Sequence, residues 1–174
     1  MRWQSGHRSE ENDEHPDLHA QRGAPLRGGI MADSCVHKKL SLWAIDSVNG
    51  NSWSGGSQYL EFTAADAVLF QETKLREMDA IQSAEDTARK NGWTTSLSKA
   101  ASGERGGASA GVGVSIRKHL GLARTDVEIE CDLESRVTLK KLGAVCRGGV
   151  HVGSVYLHHM VGPTDQRSRM ILGK

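Results

Sequence analysis

Three short stretches place polar chemistry where hydrophobic runs stop. In "AVLFQETKL" (67–75), four apolar residues lead straight into Gln71, Glu72, Thr73 and Lys74, so a carboxylate and an ammonium follow a buried run. Read alone, Glu72 is an acid ahead of a helix, where it interacts well with the helix dipole. In "VNGNSW", Asn49 and Asn51 flank a glycine, and Asn-Gly by itself favours the positive φ of a turn. In "SVYLHH", Tyr156 closes another apolar run and is followed by His158 and His159. Adjacent strand residues point to opposite faces, so the two histidines are poorly placed to share one ion.

Other candidate motifs carry less. "GERGGASAGVGV" contains no GxxxxGK[ST], and Ile116 stands where a GxGxxG motif starting at Gly111 requires its third glycine. A loop with close backbone packing is the better reading than a nucleotide cradle. Cys35, Cys131 and Cys146 form no CxxC pair, which indicates neither a disulfide framework nor a zinc knuckle. His7, His15, His19 and His37 are scattered and read as solvated side chains.

The elements that must position these groups follow from periodicity. "LSLWAIDSV" suggests a strand ending at "NGN", "QYLEF" a short amphipathic stretch, and "AVLF" a buried strand. Met78, Ile81, Ala84 or Glu85, and Ala88 recur at helical spacing, with Thr73 available to cap the start and Arg89, Lys90 and Gly92 suited to the end. Strands are expected at "GWTTSL", "GVGVSI", "SRVTLKKL" and "GVHVGSVYLHH", with a Gly-rich loop at "SKAASGERGGASA". A helix is expected at "TDQRSRMIL", capped by Thr164 or Asp165. Strands with only some intervening helices indicate a mixed α/β layered domain.

Composition sets the outer bounds. The chain has 174 residues, 37% of them hydrophobic and 25% charged, with formal charge +1. This suits one globular domain and excludes the strong basicity of a non-specific nucleic-acid binder. No window approaches the roughly 18–20 apolar residues of a membrane helix, and the N-terminus is too polar for a signal peptide, so a soluble intracellular protein is the default expectation. Residues 1–39 hold two of the three prolines and little apolar periodicity, and are expected to be disordered.

Taken in order, a strand ending in Asn, a buried strand ending in Gln-Glu-Thr-Lys, a Gly-rich strand and a strand ending in "VYLHH" resemble the endonuclease/exonuclease/phosphatase superfamily. The nearest branch is similar to exonuclease III-type and retroelement-type endonucleases, since "LFQETKL" is close to that branch's "LLQETK". The resemblance covers about 40–174 and implies an α/β fold, namely part of a four-layered α/β sandwich in which two β-sheets are flanked by helices and the C-terminal half is missing. It further implies a Mg²⁺-dependent (or Mn²⁺-dependent) phosphodiesterase acting on nucleic acid, with DNA favoured.

Carried over residue by residue, the resemblance makes Glu72 the metal-ligand glutamate. A hard cation of this kind takes one or two carboxylates and keeps waters and substrate phosphate. Asn49 corresponds to the active-site asparagine of an N-x-N signature, with Asn51 as the second; in the other register Ser47 takes the first place and Asn49 the second. Tyr156 corresponds to the strand-end tyrosine near the scissile phosphate; without the resemblance it reads equally well as a ring packed between sheets with its hydroxyl at the rim.

The same resemblance calls for "GDxN" and "SDH" motifs, and neither occurs in the chain. The alternative reading is therefore a catalytically inactive remnant or interaction module keeping half of the fold. Such a half-fold is expected to leave one sheet face bare and strand edges unpaired, and so to self-associate.

Overall fold

A computed structural model describes residues 36–103, 106–129, 133–144, 146–157 and 164–172. The segment 1–35, together with Cys35, Cys131, His158 and His159, lies outside the described residues.

The first described element is a single helical turn, α1 (Val36–Lys39). The strand expected from Leu40 starts later, as β1 (Ile45–Asn49). Ser41 takes a φ of 56°, which breaks any extended run, and Leu40 and Leu42 are exposed. His37, read from sequence as solvated, is instead largely buried, with Nε2 3.4 Å from Asp66 Oδ2 but no hydrogen bond to it. A helix, α2 (Trp53–Phe62), then connects β1 to β2 (Ala67–Gln71), with the Ser52 side chain capping its start.

Helix α3 (Met78–Lys90) buries Ile81, Ala84 and Ala88, the stripe its spacing predicts. Thr73 does not cap it. Glu77 holds the N-cap position without a side-chain bond, while the Thr73 and Lys74 N–H groups donate to the carbonyls of Gly111 and Ala110. These cross-chain bonds hold residues 73–74 off the helix axis and delay its start.

After β3 (Trp93–Leu97), the Gly-rich segment is more than a loop. It forms a two-residue hairpin, β4 (Ala101–Ser102) and β5 (Ala108–Ser109), to which Arg76 donates at Ser102 Oγ and the Gly106 carbonyl. Then come β6 (Val112–Arg117), β7 (Leu122–Arg124), β8 (Val137–Leu142), β9 (Val150–Val155) and helix α4 (Gln166–Leu172). The Asp165 carbonyl accepts from the Arg169 N–H at 2.9 Å, which puts Asp165 at the cap of α4.

The strands form two main sheets, one ordered β1-β2-β6-β3 and the other β7-β8-β9. β1 and β2 are parallel; the remaining pairs in both sheets are antiparallel. The architecture is mixed α/β, layered as helices, sheet and sheet.

Strand β2 shows why its sequence is continuously apolar. Val68 and Phe70 face a core shared with Leu60, Ala88 and Trp93 on the helix side, while Leu69 packs into a second core with Val114, Ile116, Leu142 and Val152 between the sheets. A strand covered on both faces needs apolar residues at every position rather than at alternate ones.

The second core also corrects an expectation. The face of the first sheet is not bare, because β8 and β9 cover it. What stays exposed are residues such as Val150 and Val155 on β9, an edge strand of the second sheet. Among the described residues no helix is long and apolar enough to cross a membrane.

Candidate functional site

Parallel pairing places the ends of β1 and β2 side by side, with Asn49 opposite Gln71. Just past both strand ends, two residues after Asn49 and one after Gln71, the chain turns sharply. Asn51 and Glu72 adopt φ values of 53° and 57°, and Lys74 follows at 56°. Left-handed conformations cost residues such as Glu and Lys roughly 1–2 kcal/mol each, less for Asn, and persist where surrounding structure enforces them. Three of them meeting at one place mark it as a constrained site.

The enforcing contacts are visible. The Thr73 N–H donates to the Gly111 carbonyl at 2.9 Å, and the Thr73 carbonyl accepts from the Trp53 N–H at 2.8 Å. Gly111, itself at φ 83°, lies so close that a Cβ there would stand 2.5 Å from Thr73 Oγ1. Glu72 and Lys74 therefore project from a backbone clamped between α2 and the start of β6.

Around the Glu72 carboxylate the side chains converge. The Tyr156 hydroxyl donates to Glu72 Oε1 from just beyond β9. Lys74 Nζ lies 3.4 Å from Glu72 Oε2 and also donates to Asn51 Oδ1. The Asn51 N–H donates to Asn49 Oδ1 at 3.1 Å, an Asx turn that leaves the Asn49 amide NH₂ to act on Glu72. Hydrogen bonding from Tyr156, above all, holds the Glu72 pKa below its ordinary value; Asn49 and Lys74 act in the same direction and burial opposes them. Burial first, and then the Glu72 carboxylate, push the Tyr156 phenol up to about 12. At neutral pH the site thus holds an ionised Glu72 and a protonated Tyr156.

Glu72, Asn49, Asn51 and Tyr156, chosen from separate stretches of sequence, are brought together. Ser47, the alternative register, is not at the carboxylate; its hydroxyl bonds Gln71. Lys74 is engaged with Glu72 and Asn51 while staying about one-third exposed.

No protein-family model and no curated protein matches the chain.

Sequence reading missed the residues that hold the site together. Gln71 Nε2 donates to Ser47 Oγ at 3.2 Å and to Ser154 Oγ at 3.0 Å, and Ser154 Oγ donates to the Phe70 carbonyl at 2.6 Å. This chain of bonds ties β1, β2 and β9 one or two residues below Glu72 and Tyr156. Its signal in the sequence is a serine at the inward alternation of "VHVGSVY" and a glutamine continuing an apolar run. Arg136 was also missed: its guanidinium lies 5.5 Å from the centre of the Tyr156 ring, and its carbonyl accepts from the Tyr156 N–H.

The donor set suits a hard divalent cation. Glu72 supplies one carboxylate, and the amide and phenol beside it are oxygen-bearing groups of the kind such a cation accepts. Among the described residues no group of three or more His, Cys, Asp or Glu side chains is placed to hold a metal ion. A cavity of about 350 Å³ bordered by Lys38, Trp43, Asp66 and His119 lies at the other end of β2, away from this chemistry.

Proposed function

We propose that residues 40–174 form the N-terminal part of a Mg²⁺-dependent (or Mn²⁺-dependent) phosphodiesterase of the endonuclease/exonuclease/phosphatase superfamily, hydrolysing phosphodiester bonds in DNA. One observation carries the reading: Glu72, Asn49 and Tyr156, picked out by motif resemblance on three separate strand ends, meet at one carboxylate. Core packing alone does not require that meeting. The choice of DNA rests on the likeness of "QETK" to the endonuclease branch.

In this reading Glu72 and the polar groups beside it hold the cation, which when bound would neutralise phosphate charge and acidify a water. Glu72 is suited to this because it is ionised and its direction is fixed by Tyr156. Tyr156 keeps its proton, and its single O–H either orients Glu72 or, once turned away from that carboxylate, donates to a phosphate oxygen as charge develops there. Because it stays protonated at neutral pH, it does not serve as the base. Asn49 contributes a neutral amide that orients the carboxylate.

A second reading is favoured by one feature: among the described residues the groups acting on Glu72 are a phenol, an amide and an ammonium, with no imidazole or second carboxylate. General-base catalysis contributes about 10²–10⁴-fold, so the chain by itself would turn over slowly or act as an inactive module. Incubation of the purified chain with supercoiled DNA and Mg²⁺ or Mn²⁺ separates the two. Nicking that disappears in Glu72→Gln supports the enzyme; metal-dependent nicking undiminished in that variant excludes Glu72 as ligand; no nicking at all favours the module.

A further inference from the structure

The Lys74 ammonium sits between two oxygen donors of the site. Its Nζ lies 3.4 Å from Glu72 Oε2 and donates to Asn51 Oδ1, so it bridges a carboxylate and an amide oxygen, the two donor types a hard cation uses. Its direction is set by the backbone. The left-handed φ of 56° at Lys74 and the bond from its N–H to the Ala110 carbonyl turn the side chain back toward Glu72 instead of onward along the strand. Asn51, its other partner, is held in the left-handed region as well, with its N–H bonded to Asn49. Two strained turns are thus arranged around one ammonium.

From this geometry we infer that Lys74 is a built-in stand-in cation: it neutralises Glu72 in the metal-free chain and must be displaced when a divalent ion binds there. The inference rests on the reading of Glu72 as a metal ligand. Its physical basis is competition. A divalent ion and an ammonium drawn to the same carboxylate oxygen repel each other, and Glu72 cannot satisfy both at contact distance. The arrangement keeps the carboxylate from standing unpaired in a partly buried site, at the expense of metal affinity. Lys74 is about one-third exposed, so the displaced ammonium can reach water without disturbing the fold.

The test is Mn²⁺ affinity of the full chain, followed by electron paramagnetic resonance of free Mn²⁺, for wild type, Lys74→Met, Lys74→Arg and Glu72→Gln. Lys74→Met is expected to bind Mn²⁺ about two- to fivefold more tightly than wild type, the range set by losing a partly exposed ion pair. Lys74→Arg, which keeps the charge, is expected to bind like wild type, and Glu72→Gln to lose the site. Equal affinity of wild type and Lys74→Met, with Glu72→Gln still weakened, would overturn the stand-in role while leaving the metal reading intact. Absence of Glu72-dependent binding in every variant would overturn both.

Discussion

The Tyr156 hydroxyl donates to Oε1 of Glu72 across a sequence separation of 84 residues, joining the second sheet to the end of β2. The bond acts on both partners, lowering the carboxyl pKa and helping to raise that of the phenol. Tyr156→Phe removes it while keeping the ring. The Glu72 pKa is then expected to rise toward its ordinary 4.5, as read by carboxyl NMR. Stability should fall by about 1–2 kcal/mol in urea unfolding, the lower part of the range for a bond to a charged group because Glu72 is partly exposed. An unmoved carboxyl titration would contradict the bond.

The same pair sets two pH windows. The Glu72 pKa is depressed in the fold, so its contribution is present above 4.5 and lost as pH falls below that value through the lowered one. The Tyr156 pKa is raised, so its contribution is present below 10 and lost as pH climbs from 10 through about 12. Unfolding free energies measured across both windows should decline more steeply for wild type than for Tyr156→Phe. Parallel curves would refute the coupling.

Gln71 and Ser154 couple the two sheets beneath the site. Ser154 is 1% exposed, and Ser154→Ala withdraws the donor from the Phe70 carbonyl as well as a partner from Gln71. The expected loss is about 1–3 kcal/mol for unsatisfied buried groups. A double-mutant cycle with Gln71→Ala should give a coupling of about 0.5 kcal/mol or more, whereas strictly additive losses would show that the two residues act apart.

Gly111 and Gly92 both lie at positive φ, at 83° and 89°, but differ in surroundings. An alanine Cβ at Gly92 meets nothing within 4 Å, so Gly92→Ala should cost only the conformational strain, about 1–2 kcal/mol. At Gly111 the same atom would also press on Thr73 Oγ1 at 2.5 Å and on the Lys74 N at 3.1 Å. Gly111→Ala should therefore be the more destabilising in thermal melts and should shift the amide resonances of residues 72–74. Equal melting points would argue against the clamp.

Strand β9 is an edge of its sheet, and Val155 on it is 42% exposed. Unpaired apolar edges invite pairing with another chain. Sedimentation should show association increasing with concentration, and Val155→Lys should suppress it. A wild-type sample that stays monomeric at high concentration would remove this expectation.

Much of the local architecture was legible because it is written in near-neighbour spacing. The stripe of Ile81, Ala84 and Ala88 identified α3, and "AVLF" identified β2 with its buried character. Boundaries were less legible. Thr73 resembles a helix cap in sequence, yet its N–H is taken by Gly111, a partner no local pattern reveals. β7 has three residues, too few for an alternation to register.

The sequence by itself determined that an α/β domain would end a buried strand at Glu72, because apolar periodicity and the change to polar residues are properties of contiguous chain. Only the tertiary structure decided that Tyr156 would bond Glu72, that Lys74 would turn back onto it, and that Gln71 and Ser154 would clasp the sheets beneath. Those contacts depend on the packing of β9 against β2 and on left-handed turns at Asn51, Glu72 and Lys74. Residue type permits such turns but does not announce them, since the groups that enforce them come from distant parts of the chain.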